Sequence, residues 1–296
     1  MTVAVTGATG FIGTHLVHAL VARAVNVVAV ARATRDDWSH ELNVSPVRAE
    51  LADEEALAEA FRGCDAVIHL AGGGTADQRA TWETNAEGTR HVVAACQRAG
   101  VARVMLASTV TVTRMRVAAY GASKRDAEKS VLESGLDATI FRFAFVYGQG
   151  RTGVFTRLLE LARRLPVVPV VGTGELDIAP VYVDDVVDAI VAALQRPEIS
   201  AGKIYTLAGP PATFDEVVDG VLQNLGSRKP KLHIPGWAAL ALARVLSRLS
   251  DPPITCDNVL GMIQEADHNS SLARADLGFS PRPLRQGLDA TFADQS

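Results

Sequence analysis

The stretch Thr6-Gly7-Ala8-Thr9-Gly10-Phe11-Ile12-Gly13 joins the short apolar run Val3–Val5 to a segment where Leu16, Ala19, Leu20 and Arg23 follow helical spacing. A strand, a glycine-rich turn and a helix in that order make a cradle for a phosphate. Gly7 can take the tight turn, Gly10 lets the backbone approach a pyrophosphate, and Gly13 allows the helix to pack closely on the strand. The helix amino terminus then offers free N–H groups and a partial positive charge to the anion. The pattern predicts a dinucleotide site formed by Gly7, Thr9, Gly10, Phe11, Ile12 and Gly13.

Outward from this turn, apolar runs alternate with helical patterns. Val25–Val30, Ala66–Leu70, Arg103–Ala107 and Ala138–Phe143 read as further strands, separated by helices at Glu54–Phe61, Ala86–Ala99 and Ser123–Glu133. Nearly continuous apolar strands between helices indicate a parallel sheet covered on both faces. The fold class expected is therefore α/β: a Rossmann-type doubly wound parallel sheet with a smaller, mostly helical C-terminal substrate domain. Residues 1–150 form the dinucleotide-binding part, 176–205 return to it, and 151–175 with 206–296 form the substrate-binding part. Helices are expected at Phe155–Leu165, Val186–Leu194, Phe214–Leu225 and Trp237–Leu249, with Val170–Ile178 as a Gly-rich loop.

Composition narrows the class. The chain has 296 residues, 48% hydrophobic and 21% charged, which suits a large core and excludes an intrinsically disordered chain. Its 29 Lys+Arg against 33 Asp+Glu leave a net charge of -4, with no basic excess for a nucleic-acid backbone. Cys64, Cys96 and Cys256 are far apart and form no CxxC pair, which points to a reducing cytosol; the start MTVAVTG reads directly as a strand, with no secretory signal before it. The apolar Trp237–Leu249 is too short to span a bilayer. His15 and His18 lack a third ligand at metal spacing, so no metal site is expected.

The end of the second strand selects the cofactor. An acidic residue there would bind both ribose hydroxyls of NAD and repel a 2′-phosphate. This chain has Arg32 and Arg35, which can hold the 2′-phosphate of NADP; alternatively they are ordinary surface arginines and Asp36 or Asp37 takes the ribose of NAD. Leu51 and Asp53 follow another strand, and Asp53 either accepts from the adenine amino group or caps the helix beginning at Glu54.

The chemistry-bearing residues lie further on. Tyr120 and Lys124 are four apart, so on a helix both face one way. A neighbouring ammonium would lower the phenol pKa and suit Tyr120 to acid/base work. Ser108 and Thr109 end the fourth of these strands, where a hydroxyl can orient a substrate carbonyl.

These pieces resemble the short-chain dehydrogenase/reductase superfamily, on its extended or atypical side. The matching segments are TGATGFIG at 6–13, HLAG at 69–72, NAEGT at 85–89, ASTVTV at 107–112, YGASK at 120–124, FRFAFVYGQG at 141–150 and PVYVDDV at 180–186. The chain is most similar to the NAD(P)-dependent epimerase/dehydratase family. GKIYTLAGPPATFDEVVD at 202–219 and DPPITCDNV at 251–259 resemble the group around the respiratory complex I 39 kDa subunit.

The resemblance implies that Tyr120 is the acid/base, that Lys124 tunes it and reaches the nicotinamide ribose, and that Thr109, or its neighbour Ser108, is the catalytic hydroxyl. It implies a supporting role for Asn85 and cofactor contacts from Leu70, Ala71 and Gly72. It places Arg142 and the segment from Phe143 to Val146 beside the nicotinamide, gives Asp184 or Asp185 a capping role, and suggests homodimerisation through Ala86–Ala99 and Ser123–Glu133. The chain departs from many nucleotide-sugar members: Thr109 and Tyr120 are only eleven residues apart, Thr113-Arg114 replaces the usual Tyr-Gly, and Phe143 stands where a proline is common. Arg114 and Arg116 then either meet an anionic substrate or are solvated loop residues. The function expected is hydride transfer between nicotinamide and a hydroxyl or carbonyl carbon of a small molecule. A non-catalytic dinucleotide-binding sensor or accessory subunit is the competing reading.

Overall fold

The computed structural model describes residues 1–33, 38, 42–75, 77–150, 153–247, 249 and 254–293. Its strands are β1 (Thr2–Thr6), β2 (Asn26–Ala31), β3 (Val44–Arg48), β4 (Ala66–His69), β5 (Arg103–Thr109), β6 (Asp137–Phe143), β7 (Val146–Tyr147), β8 (Val168–Val171), β9 (Val181–Tyr182), β10 (Lys203–Leu207) and β11 (Lys231–Ile234). The helices are α1 (Phe11–Val21), α2 (Glu54–Phe61), α3 (Gln78–Trp82), α4 (Gly88–Ala99), α5 (Ala119–Leu132), α6 (Gly153–Arg164), α7 (Val183–Gln195), α8 (Pro197–Ser200), α9 (Phe214–Asn224), α10 (Gly236–Leu246), α11 (Cys256–Ile263), α12 (Ser271–Leu277) and α13 (Leu284–Phe292).

Seven strands form one sheet in the order β10-β6-β5-β4-β1-β2-β3, all pairings parallel. Val, Ile and Ala dominate because helices cover both faces; β4 and β5 are buried along their whole length. The direction of winding reverses between β1 and β4, so a crevice opens at their carboxyl ends, where ligands bind in such sheets. The Gly-rich turn after β1 and the segment Leu70–Gly72 after β4 border that crevice, and Thr6 pairs with His69 just before it.

The second body contains two small parallel sheets, β8 with β11 and β7 with β9. Val170–Ile178 was expected to be a Gly-rich loop, but Val170 and Val171 belong to β8, which pairs with Lys231–Ile234, about sixty residues away. A separate apolar cluster centres on Tyr147, Phe155, Tyr182, Phe214, Val218 and Leu288, with Phe11 and Ile12 of α1 packed against it. The division of the chain differs from expectation at its end. Ala273, Leu277 and Phe279 belong to the core under the main sheet, so α12 packs with the dinucleotide-binding part rather than the smaller one.

Charged residues tie the two parts together. Asp185 was expected to cap α7, but its carboxylate accepts from Arg282 at the backbone (2.8 Å) and at Nε (2.9 Å). Asp184 instead meets His15 Nδ1 at 2.8 Å, while His15 Nε2 faces the carbonyl of Gln149 at 2.9 Å. Both imidazole nitrogens thus face acceptors, which suits the doubly protonated ring, and the His15 pKa is raised, first by the bond to Asp184. A raised folded-state value means that this latch stabilises fully below the unfolded pKa of roughly 6.5 and is lost as pH climbs through the folded one. Solvent reaches Asp184, so the contribution is about 0.5 kcal/mol. His15→Gln is expected to melt a degree or two below the parent at pH 6 and level with it at pH 9; an equal deficit at both pH values would refute the ionic latch.

Candidate active site

The glycine turn has the geometry a dinucleotide requires. Gly7 has φ +71, and a Cβ there would stand 2.6 Å from the backbone nitrogen of Ala71. A Cβ on Gly13 would stand 2.2 Å from the carbonyl oxygen of Gly7. Helix α1 starts at Gly10 with no side-chain cap and no acidic residue in its first turn, leaving its first N–H groups available to an anion. Thr9 and Gly10 are exposed beside it, and Phe11 and Ile12 are half-buried. These residues fit the diphosphate of a dinucleotide.

At the other end of the crevice, α5 presents Tyr120, Lys124 and Glu128 as a stripe at four-residue spacing toward β5. Lys124 is buried, and its Nζ donates to the carbonyl of Ala107 at 2.9 Å. A Cβ on Gly72 would lie 2.8 Å from that Nζ, which places the Leu70–Gly72 segment directly over Lys124. Asn85 supports this loop: its Oδ1 accepts from Gly73 N (3.1 Å), and its Nδ2 donates to the Gly73 carbonyl and to Ser123 Oγ (both 3.0 Å). Beneath it, buried His69 bridges Thr6 Oγ1 (2.6 Å) and Thr89 Oγ1 (3.1 Å), and burial lowers its pKa to about 3, so it is neutral.

Thr109 and Ser108 go different ways, because successive strand residues face opposite sides. Thr109 faces the cavity with Tyr120; its Oγ1 donates to Thr111 Oγ1 at 3.0 Å. The Ser108 hydroxyl donates to Glu128 at 2.5 Å, and Glu128 also takes a bidentate pair from Arg142, at 2.9 and 2.6 Å. Ser108 and Arg142, expected as an alternative catalytic hydroxyl and a nicotinamide neighbour, are thus both engaged by Glu128, while Thr109 and Phe143 line the cavity. The buried pair clamps α5 onto the sheet behind Tyr120 and Lys124.

The phenol also departs from expectation. Its pKa is pushed up to about 12, chiefly by burial and then by the charge of Asp257, while hydrogen bonding with Thr109 works the other way. Burial brings Lys124 down to about 8, against the pull of Glu128. Tyr120 is therefore a phenol, not a phenolate, at neutral pH. Asp257 lines the same cavity, and the sequence reading did not single it out. It stands in the first turn of α11, whose start is set by a capping box of Thr255 and Asn258. The backbone N–H groups of Tyr120 and Gly121 face its carboxylate. The spacing Thr255-x-x-Asn258 was the available signal for that helix start.

Other expected cofactor contacts divide. Phe143 pairs with Thr109 across β5 and β6 and lines the cavity, whereas Val146 packs between the two apolar cores. Arg32 is exposed just past β2; Arg35 lies outside the described residues, as do Asp36 and Asp37. Asp53 caps α2, accepting from Ala56 N at 3.0 Å, and Leu51 packs into the core beside Gly88. Of the two arginines in the 113–116 loop, Arg114 lines the cavity and Arg116 is exposed. Among the described residues, no group of three or more His, Cys, Asp or Glu is placed to hold a metal, and no helix is long and apolar enough to cross a membrane.

Comparison with known proteins decides the family. Residues 3–208 match the model of the NAD dependent epimerase/dehydratase family. The chain belongs to this family. A ceramide reductase of Caulobacter vibrioides is 29% identical over 98% of this chain and 90% of its own length. A 2-alkyl-3-oxoalkanoate reductase of Stenotrophomonas maltophilia is 28% identical, covering 97% of each chain. In three dimensions the fold resembles a UDP-glucuronic acid 4-epimerase of Bacillus cereus, solved with UDP-glucuronic acid and NAD, with a TM-score of 0.79 and 22% identity over 99% of this chain and 98% of that one. This family member is an enzyme of the nicotinamide-dependent reductase, epimerase and dehydratase class.

Proposed function

We propose that this enzyme reduces a ketone with an apolar body, using NADPH in preference to NADH. The observation that carries the reading is the cavity of about 230 Å³ in which Tyr120 and Thr109 stand among Phe143, Phe145, Val154, Ile178, Phe214 and Met262. Such a wall suits a hydrocarbon better than the hydroxyl-rich ring of a sugar nucleotide. The Caulobacter and Stenotrophomonas relatives, named as reductases of ceramide and of 2-alkyl-3-oxoalkanoates, support the same choice.

A bound nicotinamide would supply the hydride. The chain's residues do the rest. Thr109 orients the carbonyl oxygen. Tyr120, held as a phenol, donates its proton to that oxygen as the carbon becomes tetrahedral, yielding an alcohol. Lys124, fixed by the Ala107 carbonyl beneath the Leu70–Gly72 segment, holds the ribose side of the cofactor and offsets charge left on Tyr120. Arg32 at the end of β2 supports NADPH by meeting the 2′-phosphate. The three thiols, free of disulfides, support a cytosolic setting.

The test is consumption of NADPH with 2-octanone and, separately, chromatographic analysis of UDP-glucuronic acid incubated with the protein and NAD. Ketone-dependent consumption is expected; conversion of the sugar nucleotide with no ketone-dependent consumption would overturn the assignment. Arg32→Ala is expected to weaken NADPH binding about tenfold without altering NADH binding. Tighter NADH binding by the parent protein would defeat the NADPH preference.

A further inference from the structure

We propose that Arg114 forms a carboxylate-binding subsite of the cavity, so that the ketone reduced here also carries a carboxylate a few bonds from its oxo group. This rests on the carbonyl-reductase reading and supplies the second functional group of the substrate. Arg114 comes from the loop that follows Thr109, yet it is not a solvated loop residue. It is 9% exposed and lines the same cavity as Thr109 and Tyr120.

Only part of its hydrogen-bonding capacity is met. Nη1 donates to Thr111 Oγ1 at 3.4 Å and Nη2 to the Gly261 carbonyl at 3.1 Å, while buried Nε has no partner. A guanidinium has five N–H donors. Among the described residues no carboxylate lies within ion-pair distance of it; the charge of Asp257 acts on it from beyond that distance, and buried Asp257 Oδ1 likewise has no hydrogen-bond partner. A buried cation without an ion-pair partner is costly unless something else neutralises it. The cavity wall is largely apolar, with Asp257, Asn258 and His268 as its other polar members besides the Thr109, Thr111 and Tyr120 hydroxyls; an anionic oxygen of the substrate on the unpartnered Nε side neutralises the cation, and a planar carboxylate matches the guanidinium fork.

The placement also sets the spacing. Thr109 Oγ1 bonds Thr111 Oγ1 at 3.0 Å, and Thr111 Oγ1 is the acceptor of Arg114 Nη1. The hydroxyl that orients the ketone and the guanidinium are thus two hydrogen-bond steps apart. An oxo group and a carboxylate separated by one or two carbons fit that interval, with the alkyl chain lying along Phe145, Ile178 and Phe214.

The experiment compares octanoate with its neutral isostere octanamide, titrated calorimetrically into the full chain with saturating NADP. The parent protein is expected to bind octanoate at least about tenfold more tightly than octanamide, as one charge-assisted pair would give. Arg114→Met is expected to erase that preference, and Arg114→Lys to keep part of it, which separates a lost charge from a damaged fold. The kcat/KM ratio of 3-oxooctanoate to its amide should fall by a similar factor in Arg114→Met, mainly through KM. Equal binding of octanoate and octanamide by the parent, or a preference that survives in Arg114→Met, overturns the subsite. If ketones are reduced but octanoate is not preferred, the subsite falls and the reductase reading stands. If octanoate binds through Arg114 but no ketone is reduced, the reverse holds.

Discussion

Tyr120→Phe is expected to lower kcat for ketone reduction by about 10²–10⁴-fold, while the dissociation constant for NADPH changes less than about threefold. The hydroxyl is the only atom removed, and the ring keeps its place at the start of α5. In the proposed arrangement cofactor affinity resides elsewhere, in the turn at Gly7–Gly13 and the Lys124 side chain. The other titratable groups described in the cavity are poor replacements: burial lowers the pKa of His268. Thr109 is a far weaker acid, Arg114 does not deprotonate, and Asp257 faces the backbone at the start of α5.

The sign of the pH dependence follows from the phenol at about 12 and the amine at about 8. Reduction uses the protonated phenol, so Tyr120 imposes no loss of rate between pH 6 and 9. Oxidation of the alcohol needs phenolate, so that direction accelerates as pH rises. Initial rates in both directions across this range, for the parent and Tyr120→Phe, give the check. A variant retaining more than half of the parent turnover would remove Tyr120 from proton transfer.

Much of this site was legible in the sequence because it is local. The turn at residues 6–13 carries its own mechanism in glycine spacing, and the Tyr120–Lys124 interval places both side chains on one face of a helix whatever else the chain does. The parallel strands were legible as unbroken apolar runs, since a sheet covered on both faces has no polar side to interrupt them. What escaped the reading depends on tertiary placement. Strand alternation says that Ser108 and Thr109 face opposite ways, but not which of them faces the cavity; buried Glu128, twenty residues on, decides that by taking the Ser108 hydroxyl. The phenol was expected to be lowered by Lys124. Burial and Asp257, more than a hundred residues away in sequence, raise it instead. The pairing of β8 with β11 and the return of α12 to the main core likewise join distant segments that are too short to announce a partner.

Gly13→Ala is expected to damage both the fold and the dinucleotide site, and the reason is purely steric. A Cβ at this position would stand 2.2 Å from the Gly7 oxygen, 2.7 Å from the Ala8 oxygen and 2.9 Å from the Ala8 carbonyl carbon. All three are backbone atoms of the turn, so no side-chain rotation relieves the clash. Helix α1 must move outward or the turn must open. Opening is resisted, because the Gly7 N–H is bonded to the Val30 carbonyl at 3.0 Å and Gly7 already abuts Ala71. Overpacking of this kind costs about 3 kcal/mol, which corresponds to a fall of roughly 6–10 °C in Tm. The helix N–H groups would shift with respect to the diphosphate, and the dissociation constant for NADPH should rise at least about tenfold. Gly73→Ala is the matched control. A Cβ there meets no atom within 4 Å, so its melting temperature should stay within about 2 °C of the parent. Differential scanning calorimetry and NADPH titration of the two variants read both effects. If Gly13→Ala melts and binds NADPH like Gly73→Ala, the close approach of α1 to the turn is not what makes the cradle.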